Sequence, residues 1–198
     1  MEGFPKTIEL KGIPTTFRLM TAEDSAQILA FARQLQAHDL MFLRRDITQQ
    51  TSIDNWIRDI ESGLMHTILA EQEIAQGTAQ KTAILGYSSL FRNDFDWSRH
   101  VAEIRVLVSQ TMRKSGLGRA LTREAFNVAL ILGIQKIAAR MTLDQTGART
   151  VFEELGFRPE AVLKDEVKDR EGNTHDILLM ATDVETFLAR GEAYGLSR

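Results

Sequence analysis

Hydrophobic residues recur along this chain with two different periods, which predict short β-strands and amphipathic α-helices in a mixed order. Two short alternating runs flank a turn with Gly12 and Pro14, so the chain is predicted to begin with a hairpin. The polar segment Gln72–Lys81 predicts the linker of a later antiparallel strand pair. The predicted elements are strands at 7–10, 16–19, 65–71, 82–90, 101–108, 136–141, 157–167 and 176–180, helices at 21–36, 53–63, 118–133 and 145–155, a loop or short helical turn at 38–47, and a helical turn at 184–189.

This order predicts an α/β fold with a mixed, mostly antiparallel central sheet flanked by helices. The strands at Val101–Val108 and Lys136–Met141 are joined by a helix, so we expect them to be parallel neighbours in the sheet. No repeat or proline-rich linker divides the chain, which indicates a single domain over residues 1–198. Within it we expect an N-terminal extension at 1–15, a core at 16–182 and a C-terminal tail at 183–198.

The composition removes several classes of function. Cys is absent, which excludes disulfides, thiolate metal sites and a cysteine nucleophile. The four His show no metal-ligand spacing, and a formal net charge of −3 gives no overall attraction to nucleic acid or anionic membranes. No apolar run reaches the roughly 18 residues that a membrane-spanning helix needs. We therefore expect a cytoplasmic protein with no metal and with neither a nucleic-acid nor a membrane partner.

The segment that follows the strand Val101–Val108 is basic and contains two glycines. It reads Arg-Lys-Ser-Gly-Leu-Gly over Arg113–Gly118, and a helix begins there. A strand that leads into a helix in this way aims unpaired backbone N–H groups and the positive end of the helix dipole at one place, which suits a phosphate. The alternative is a solvated basic loop. Four cations within eleven residues of an otherwise acidic chain favour a bound polyphosphate: Arg113, Lys114, Arg119 and Arg123.

Two common phosphate motifs do not fit this turn. The P-loop requires Gly-Lys followed by Ser or Thr, whereas Gly118 is followed by Arg119 and Ala120. The dinucleotide fingerprint requires a third glycine, and Leu121 occupies its position. The sequence therefore supports neither an NTPase nor a nicotinamide enzyme.

The pattern Arg-x-x-Gly-x-Gly at Arg113–Gly118, preceded by Val106–Val108, resembles the acetyl-CoA signature of the GNAT superfamily of N-acetyltransferases. Downstream, Gln145–Phe157 is similar to the family's second motif, a helix that ends in Leu-Gly-Phe. The resemblance covers about Thr16–Met180 and is strongest over Val101–Phe157. It implies a GNAT-like fold and direct transfer of the acetyl group of acetyl-CoA to a primary amine of a small molecule or protein, without a covalent enzyme intermediate.

The resemblance also implies which residues bind the cofactor. The diphosphate of CoA would lie on backbone N–H groups of Arg113–Arg119, and the pantetheine arm would lie along Val106–Val108 like an added strand, with the second motif's helix on its other side. The implied cofactor-binding residues are Val106, Leu107, Val108, Arg113, Lys114, Ser115, Gly116, Leu117, Gly118, Arg119, Gln145, Ala148 and Phe152.

Glu103 is the first candidate for the general base. A lysine-like amine has a pKa of about 10.4 and attacks only after losing a proton, directly or through water. Strand alternation places Glu103, Arg105 and Leu107 on one face, and the resemblance implies a glutamate at about this position of the strand. The alternative is a carboxylate that pairs with Arg105 or with a neighbouring strand. Weaker candidates for the base are Asp144, Asp165 and Glu166.

The general acid that the family pattern implies is missing, because Phe152 stands where the family usually has Tyr, and Gln145 stands where Asn is common. Tyr87 is one substitute, and a thiolate that leaves without an acid is another. The same change keeps a non-catalytic or weakly catalytic acyl-CoA-binding regulatory module open as an alternative to an enzyme.

The acceptor amine has no readable signature. The resemblance implies that the early helices, the loop His38–Ile47 and the last hairpin select it. Trp56 and Phe42 either line a substrate slot or belong to the core. Many members of the family dimerise, so a homodimer stays open, although the sequence indicates no interface.

Overall fold

The structure is a computed structural model of the chain, and it describes residues 3–40, 43–76, 79–92, 96–169 and 171–193. Its strands are β1 (Lys6–Leu10), β2 (Ile13–Leu19), β3 (Met65–Gln76), β4 (Ala79–Arg92), β5 (Val101–Val108), β6 (Lys136–Thr142), β7 (Arg158–Lys168) and β8 (Thr174–Asp183). Its α-helices are α1 (Ser25–Ala32), α2 (Ala37–Leu40), α3 (Gln50–Glu61), α4 (Leu117–Ile131), α5 (Thr146–Glu154) and α6 (Val184–Ala193). Short 3-10 turns occupy 22–24, 96–98 and 110–112.

The strands form one sheet in the order β1-β2-β3-β4-β5-β6-β8-β7. The pairs β1–β2, β2–β3, β6–β8 and β7–β8 are antiparallel, whereas β5 and β6 are parallel and are joined by α4. The predicted mixed, mostly antiparallel sheet, its N-terminal hairpin and its parallel pair are therefore confirmed. The boundaries expected for an extension, a core and a tail stay a prediction.

Residues 1–89 and 106–125 make one compact unit. Its core contains Ile28 of α1 and Ile53 of α3, both fully buried. The indole Nε1 of Trp56 donates a hydrogen bond to Thr67 Oγ1 at 2.9 Å, and its ring meets that of Tyr87 edge-on, with 4.9 Å between ring centroids. Trp56 is 3% exposed, so it is a core residue. Phe42, the other candidate for a substrate slot, lies outside the described residues.

Residues 90–105 and 126–198 make a second compact unit, whose core is aromatic. Phe157 meets Phe126 and Phe152 edge-on, with centroid distances of 5.8 and 4.7 Å. Phe126 also stacks on Phe187 of α6 at 3.7 Å. These contacts fix the end of α5 against the apolar face of the unit, where Ile104 and Ile137 are also buried.

Several predicted boundaries were wrong, and three of them differ most clearly. The helix expected at 21–36 starts as a 3-10 turn and ends as α1 at Ala32, because the N–H groups of Gln34 and Leu35 bond three residues back and tighten the chain. The polar linker expected at Gln72–Lys81 is mostly strand, since β3 extends to Gln76 and β4 begins at Ala79. The helical turn expected to end at 189 continues as α6 to Ala193.

Candidate active site

The turn between β5 and α4 is anchored at its start by a backbone hydrogen bond. Ser109 N donates to Leu85 O of β4 at 2.8 Å. A 3-10 turn follows, and Lys114 and Gly116 then adopt left-handed conformations, with φ of 58° and 88°. Gly116 accepts this conformation at little cost, whereas a side chain there is strained by roughly 1–2 kcal/mol. The two left-handed residues lead the chain into α4, as the predicted strand–turn–helix order requires.

The first turn of α4 presents backbone donors. The first intrahelical bond at this end runs from Ala120 N to Gly116 O at 3.0 Å, so the N–H group of Gly118, two residues earlier, has no acceptor one helical turn back. Ser115 partly caps this end, because its Oγ accepts from Leu117 N at 3.2 Å and donates to Met112 O at 2.6 Å. The turn therefore holds donors and a positive helix end together, which suits an anion.

Gly86 on β4 contributes to this region by its lack of a side chain. A Cβ at Gly86 would lie 2.6 Å from Leu107 O and 3.2 Å from Val108 Cα. Backbone atoms cannot move aside as a side chain does, so β4 can approach the end of β5 only with glycine at this position. Gly86 was not predicted to belong to this region, although a glycine inside a strand-like run is the signal of such a close approach.

Arg113, the first residue of the motif, has a side-chain partner that the sequence did not predict. Its Nη2 lies 2.5 Å from Asp39 Oδ1 of α2, 74 residues earlier in the chain. The Asp39 side chain is 11% exposed and that of Arg113 is 49% exposed. Arg113 thus ties the basic turn to α2, while its backbone N–H donates to Gln110 O at 3.2 Å.

In the second unit, the ladder between the parallel strands ends early. The last pair is Ile104 with Ala139, although β5 continues for four residues and β6 for three. The first carbonyl of β6 beyond the ladder belongs to Arg140, and it accepts a hydrogen bond from Arg105 Nη1 at 3.0 Å. A side chain of β5 therefore replaces the backbone donor at the point where the pairing stops.

Glu103 is paired with arginine, which is one of the two roles that the sequence predicted for it. Its Oε1 accepts from Arg105 Nε at 2.9 Å and lies 2.8 Å from Arg105 Nη2, while its Oε2 lies 3.6 Å from Arg140 Nε. Arg140 continues the network to Glu166, with 3.4 Å between Nη1 and Oε1. The carboxylate is held in one orientation, and its role as a base stays a prediction.

The second motif also lies in the second unit, on α5 and the residue before it. Gln145 occupies the N-cap position of α5, and its backbone N donates to Thr142 O at 3.1 Å. Ala148 is exposed on the same helix. Phe152 is 7% exposed and packs on Phe157, as a core aromatic does. The two motifs thus fall in different units, Val106–Arg119 in the first and 145–157 in the second.

The other candidates for proton transfer have structural partners. Asp165 Oδ1 accepts from Thr174 Oγ1 at 2.5 Å within the β7–β8 hairpin. Glu166 belongs to the arginine network described above. Tyr87, the substitute for the missing general acid, is 4% exposed and lies against Trp56 in the core of the first unit.

Clearly shifted pKa values lie at two carboxylates outside this region. Burial of Asp24 opposes its ionised form, but hydrogen bonds from the Arg18 guanidinium and from Thr21 outweigh that effect and lower its pKa. Hydrogen bonds from His175 and Asn173 lower the pKa of Asp169 to about 2. Both carboxylates hold turns in place by these hydrogen bonds, so their lowered pKa values bear on the stability of the fold.

The described residues contain neither a metal-binding cluster nor a helix that could span a membrane. No cluster of three or more His, Cys, Asp or Glu side chains is arranged to hold a metal ion within ranges 3–40, 43–76, 79–92, 96–169 and 171–193. Over the same part of the chain, no helix combines the length and apolar character that crossing a membrane requires.

The basic glycine turn that leads from β5 into α4 is the feature that the resemblance to N-acetyltransferases predicted. The sequence model of the Acetyltransferase (GNAT) family matches residues 29–157, and the chain belongs to this family. The resemblance that the two motifs indicated is thereby confirmed. Comparison with the sequences of curated proteins gave no significant match.

Solved structures share the fold at low sequence identity. A GNAT-family acetyltransferase from Streptococcus pneumoniae is 19% identical and has a TM-score of 0.69, covering 85% of this chain and 99% of its own. The yncA protein from Salmonella typhimurium, solved with its cofactor acetyl-CoA, is 20% identical, with a TM-score of 0.69 and coverages of 86% and 94%. Spermidine N-acetyltransferase from Vibrio cholerae, in complex with CoA and spermine, is 19% identical, with a TM-score of 0.70 and coverages of 88% and 98%.

Proposed function

We propose that this chain transfers the acetyl group of acetyl-CoA directly to a primary amine of a small molecule or a protein. The observation that carries the proposal is the turn Arg113–Arg119, which combines left-handed backbone at Gly116 with the N–H group of Gly118 and the positive N-terminal end of α4. Membership in the family supports the reaction class. The similar fold of yncA, solved with acetyl-CoA, supports the choice of cofactor.

Acetyl-CoA supplies the reactive acyl group as a thioester. We expect its diphosphate to accept hydrogen bonds from the N–H groups of Gly118 and Arg119, with Lys114 adding charge at the same turn. The backbone of Val106–Val108 is the expected partner of the pantetheine arm.

We further propose that Glu103 accepts the proton of the acceptor amine, directly or through water. Arg105 fixes the carboxylate on Oε1, whereas Oε2 is held only at 3.6 Å by Arg140 and is therefore the oxygen better placed to receive a proton. Phe152 donates no proton, so the CoA thiolate leaves unassisted. This is feasible because an ordinary thiol has a pKa of about 8.5.

The acceptor is proposed only by class. The Vibrio cholerae neighbour acts on spermidine, an aliphatic polyamine, and this supports a primary amine as the group that is acetylated. A protein lysine or N-terminus carries the same reacting group. The experiment below therefore tests both kinds of acceptor.

A second candidate function is a binding module that responds to acyl-CoA without efficient chemistry. It is favoured by two observations: the core packing of Phe152, where the family usually places Tyr, and the pairing of Glu103 with two arginines. Both candidates require the cofactor to bind at Arg113–Arg119, and they differ in whether an amine is acetylated.

Titration calorimetry with acetyl-CoA tests the shared requirement. Arg119→Glu reverses a charge beside the proposed diphosphate site, while an acid in the first turn of a helix suits its dipole, so the fold is retained. We expect at least about tenfold weaker binding. Arg158→Glu, the same charge change on the exposed start of β7, is the control and leaves affinity unchanged.

Release of CoA thiol in the presence of polyamines, amino acids and a lysine-containing peptide library then separates the two candidates. Acetylation of any of these amines supports the enzyme, whereas acetyl-CoA binding with no acetylated product supports the module. Wild-type protein that does not bind acetyl-CoA, or binding that Arg119→Glu leaves intact, contradicts both.

A further inference from the structure

Arg140 on β6 is the loosely bound member of the charge network around Glu103. Its Nε lies 3.6 Å from Glu103 Oε2 and its Nη1 lies 3.4 Å from Glu166 Oε1, both longer than the roughly 2.7–2.9 Å of a strong charge-assisted hydrogen bond. Arg105 shows the opposite arrangement, with contacts of 2.8 to 3.0 Å to Glu103 and to the carbonyl of Arg140. The Arg140 side chain is also the more exposed of the two, at 39% against 26%. Its guanidinium therefore has donors that can bind a further anion.

The register of the sheet brings this guanidinium to the face of the proposed base. The last pair of the β5–β6 ladder is Ile104 with Ala139. Arg105 and Arg140 follow at corresponding positions, and strand alternation turns both away from this buried pair. Glu103 shares that half-exposed face. An anion that binds Arg140 there lies beside Glu103 Oε2, the oxygen proposed to take the proton.

The charges around Glu103 favour an acceptor that carries an anion of its own. Arg105 already balances the Glu103 carboxylate at 2.8 Å, so Arg140 adds a cation next to the place where the acceptor amine must approach. Glu166 offsets that cation only in part, at 3.4 Å and with 41% of its side chain exposed. A polyamine would bring a second cation to this guanidinium and be repelled. A carboxylate on the acceptor instead makes the same guanidinium a binding partner.

The spacing of the two groups selects an anion close to the amine. Glu103 Oε2 and Arg140 Nε are 3.6 Å apart. In an α-amino acid the nitrogen and a carboxylate oxygen are about 3 Å apart, because only the α carbon and the carboxyl carbon separate them. The amine can therefore lie on Oε2 while the carboxylate lies on the guanidinium, with opposite charges in contact at both ends. The side-chain amine of a peptide lysine and a protein N-terminus carry no carboxylate at this distance.

We propose that the acceptor is a free α-amino acid, with its carboxylate bound by Arg140 and its amine held at Glu103 Oε2. This inference rests on the proposed function and names the substrate class of the same site. In the reaction the ammonium gives one proton to Glu103, the nitrogen bonds to the acetyl carbon and the carbon–sulfur bond breaks. CoA leaves as the thiolate, and the second proton of the nitrogen goes to solvent. Arg140 binds the substrate and exchanges no proton.

Amino acids and their amides test the proposal without any change to the protein. Release of CoA from acetyl-CoA is measured with a panel of free amino acids and with the corresponding amino-acid amides, which keep the amine and lack the negative charge. We expect at least one amino acid to be acetylated with a kcat/KM at least about tenfold above that of its amide. Spermidine and a lysine-containing peptide are expected to be poorer acceptors than that amino acid.

Two variants then act in opposite directions. Arg140→Met removes the guanidinium, so we expect the KM of the amino acid to rise about tenfold and the preference over the amide to be lost, with kcat at saturation within about threefold of the wild type. Glu166→Gln releases Arg140 from a competing carboxylate, so the KM of the amino acid is expected to fall about twofold. Arg140→Lys keeps the charge without the planar fork and is expected to be intermediate. Arg158→Met, on the exposed start of β7, is the control and keeps the wild-type KM.

The outcomes separate this inference from the proposed function. Equal rates for amino acid and amide, an Arg140→Met enzyme that keeps the preference, or a panel in which only the polyamine or the peptide is acetylated overturns the inference and leaves the proposed function standing. A KM that rises in Glu166→Gln as it does in Arg140→Met shows a network that only holds the strands together, which also overturns the inference. Wild-type protein that binds acetyl-CoA and acetylates no amine overturns the proposed function, and the inference with it.

Discussion

Two regions of this protein carry the proposed chemistry, and they are built in different ways. The cofactor turn, Arg113–Arg119, is made mainly of backbone: left-handed residues, first-turn N–H groups and the hydrogen bond from Ser109 N to Leu85 O. The charge network on β5 and β6 is made of side chains. The Glu103 carboxylate lies 2.8 Å from Arg105 Nη2 and 3.6 Å from Arg140 Nε. The cofactor turn is formed by residues that are consecutive in the sequence, whereas the charge network depends on partners from separate strands.

The difference has a testable consequence. A site made of backbone tolerates changes of side chain but not changes that occupy the space of the backbone or alter its φ. A site made of side chains tolerates small changes of the backbone but not the loss of a side chain. Each lost partner leaves a charge or a carbonyl without compensation. The predictions below test this contrast, beginning with the largest expected effect.

Glu103→Gln is expected to have the largest effect, because an amide cannot accept the proton of the amine. We expect kcat to fall about a hundredfold or more, with the Kd of acetyl-CoA within twofold of the wild type. Steady-state kinetics with an accepted amine, together with calorimetry, measures both values. Glu160→Gln, which breaks the exposed pair with Lys136 at 2.6 Å, is the matched control. Equal kcat for the two variants would show that Glu103 serves only as an ion-pair partner.

Gly86→Ala tests the region made of backbone. The new Cβ would lie 2.6 Å from Leu107 O, and we expect a loss of about 1–3 kcal/mol in the free energy of unfolding. Gly147→Ala on α5 meets no atom within 4 Å and lies inside a helix, so it is expected to gain up to about 1 kcal/mol. Urea unfolding measures both variants. If Gly86→Ala unfolds at the same urea concentration as the wild type, β4 can move away from β5 to make room for the new Cβ. The site made of backbone would then be more tolerant of added atoms than proposed.

Arg105→Met tests the network made of side chains without touching the proposed base. The variant frees Glu103 Oε1 and leaves the carbonyl of Arg140 without its donor, so we expect kcat to fall about tenfold with the KM for acetyl-CoA little changed. Arg105→Lys keeps the charge but cannot bond both groups at once, and is expected to be intermediate. Lys136→Met, on the same sheet, is the control and keeps its kcat. An Arg105→Met enzyme as fast as this control would mean that the orientation of Glu103 does not limit the reaction.

The same contrast explains what the sequence predicted and what it did not. The turn Arg113–Gly118 was identified because its residues are adjacent and each glycine has a local meaning. The N-terminal hairpin and the parallel pair also followed from local patterns and from the connecting helix. The pairing of Arg113 with Asp39 was not predicted, because the two residues are 74 positions apart and their proximity depends on the fold.

Two other features of the structure were not predicted from the sequence, for different physical reasons. The segment Gln72–Gln76 was predicted as part of a linker because it is polar, yet it belongs to β3, since a place in the sheet overrides that weak propensity. The place of Arg140 between Glu103 and Glu166 was not predicted, because sequence neighbours give no sign of which atoms surround a side chain. Propensity and motif therefore identified the backbone site, whereas the side-chain sites required the three-dimensional structure.

The smallest expected effect concerns pH and extends the contrast to the β7–β8 hairpin, which is also held by side chains. Asp169 accepts hydrogen bonds from His175, Asn173 and Glu171 N, and its pKa is lowered to about 2 from 3.8. Because the folded value lies below the unfolded one, the ionised carboxylate stabilises the fold fully above pH 3.8. This contribution is lost as the pH falls through about 2.

Asp169→Asn removes that titration, so the wild type is expected to unfold at a higher urea concentration than the variant at pH 6. The difference between them should stay constant down to about pH 4 and shrink between pH 4 and pH 2. A turn held by backbone hydrogen bonds has no group that titrates in this range, so Gly147→Ala should differ from the wild type by the same amount at every pH. A difference for Asp169→Asn that is independent of pH would mean that the hairpin depends on the shape of this residue rather than on its charge.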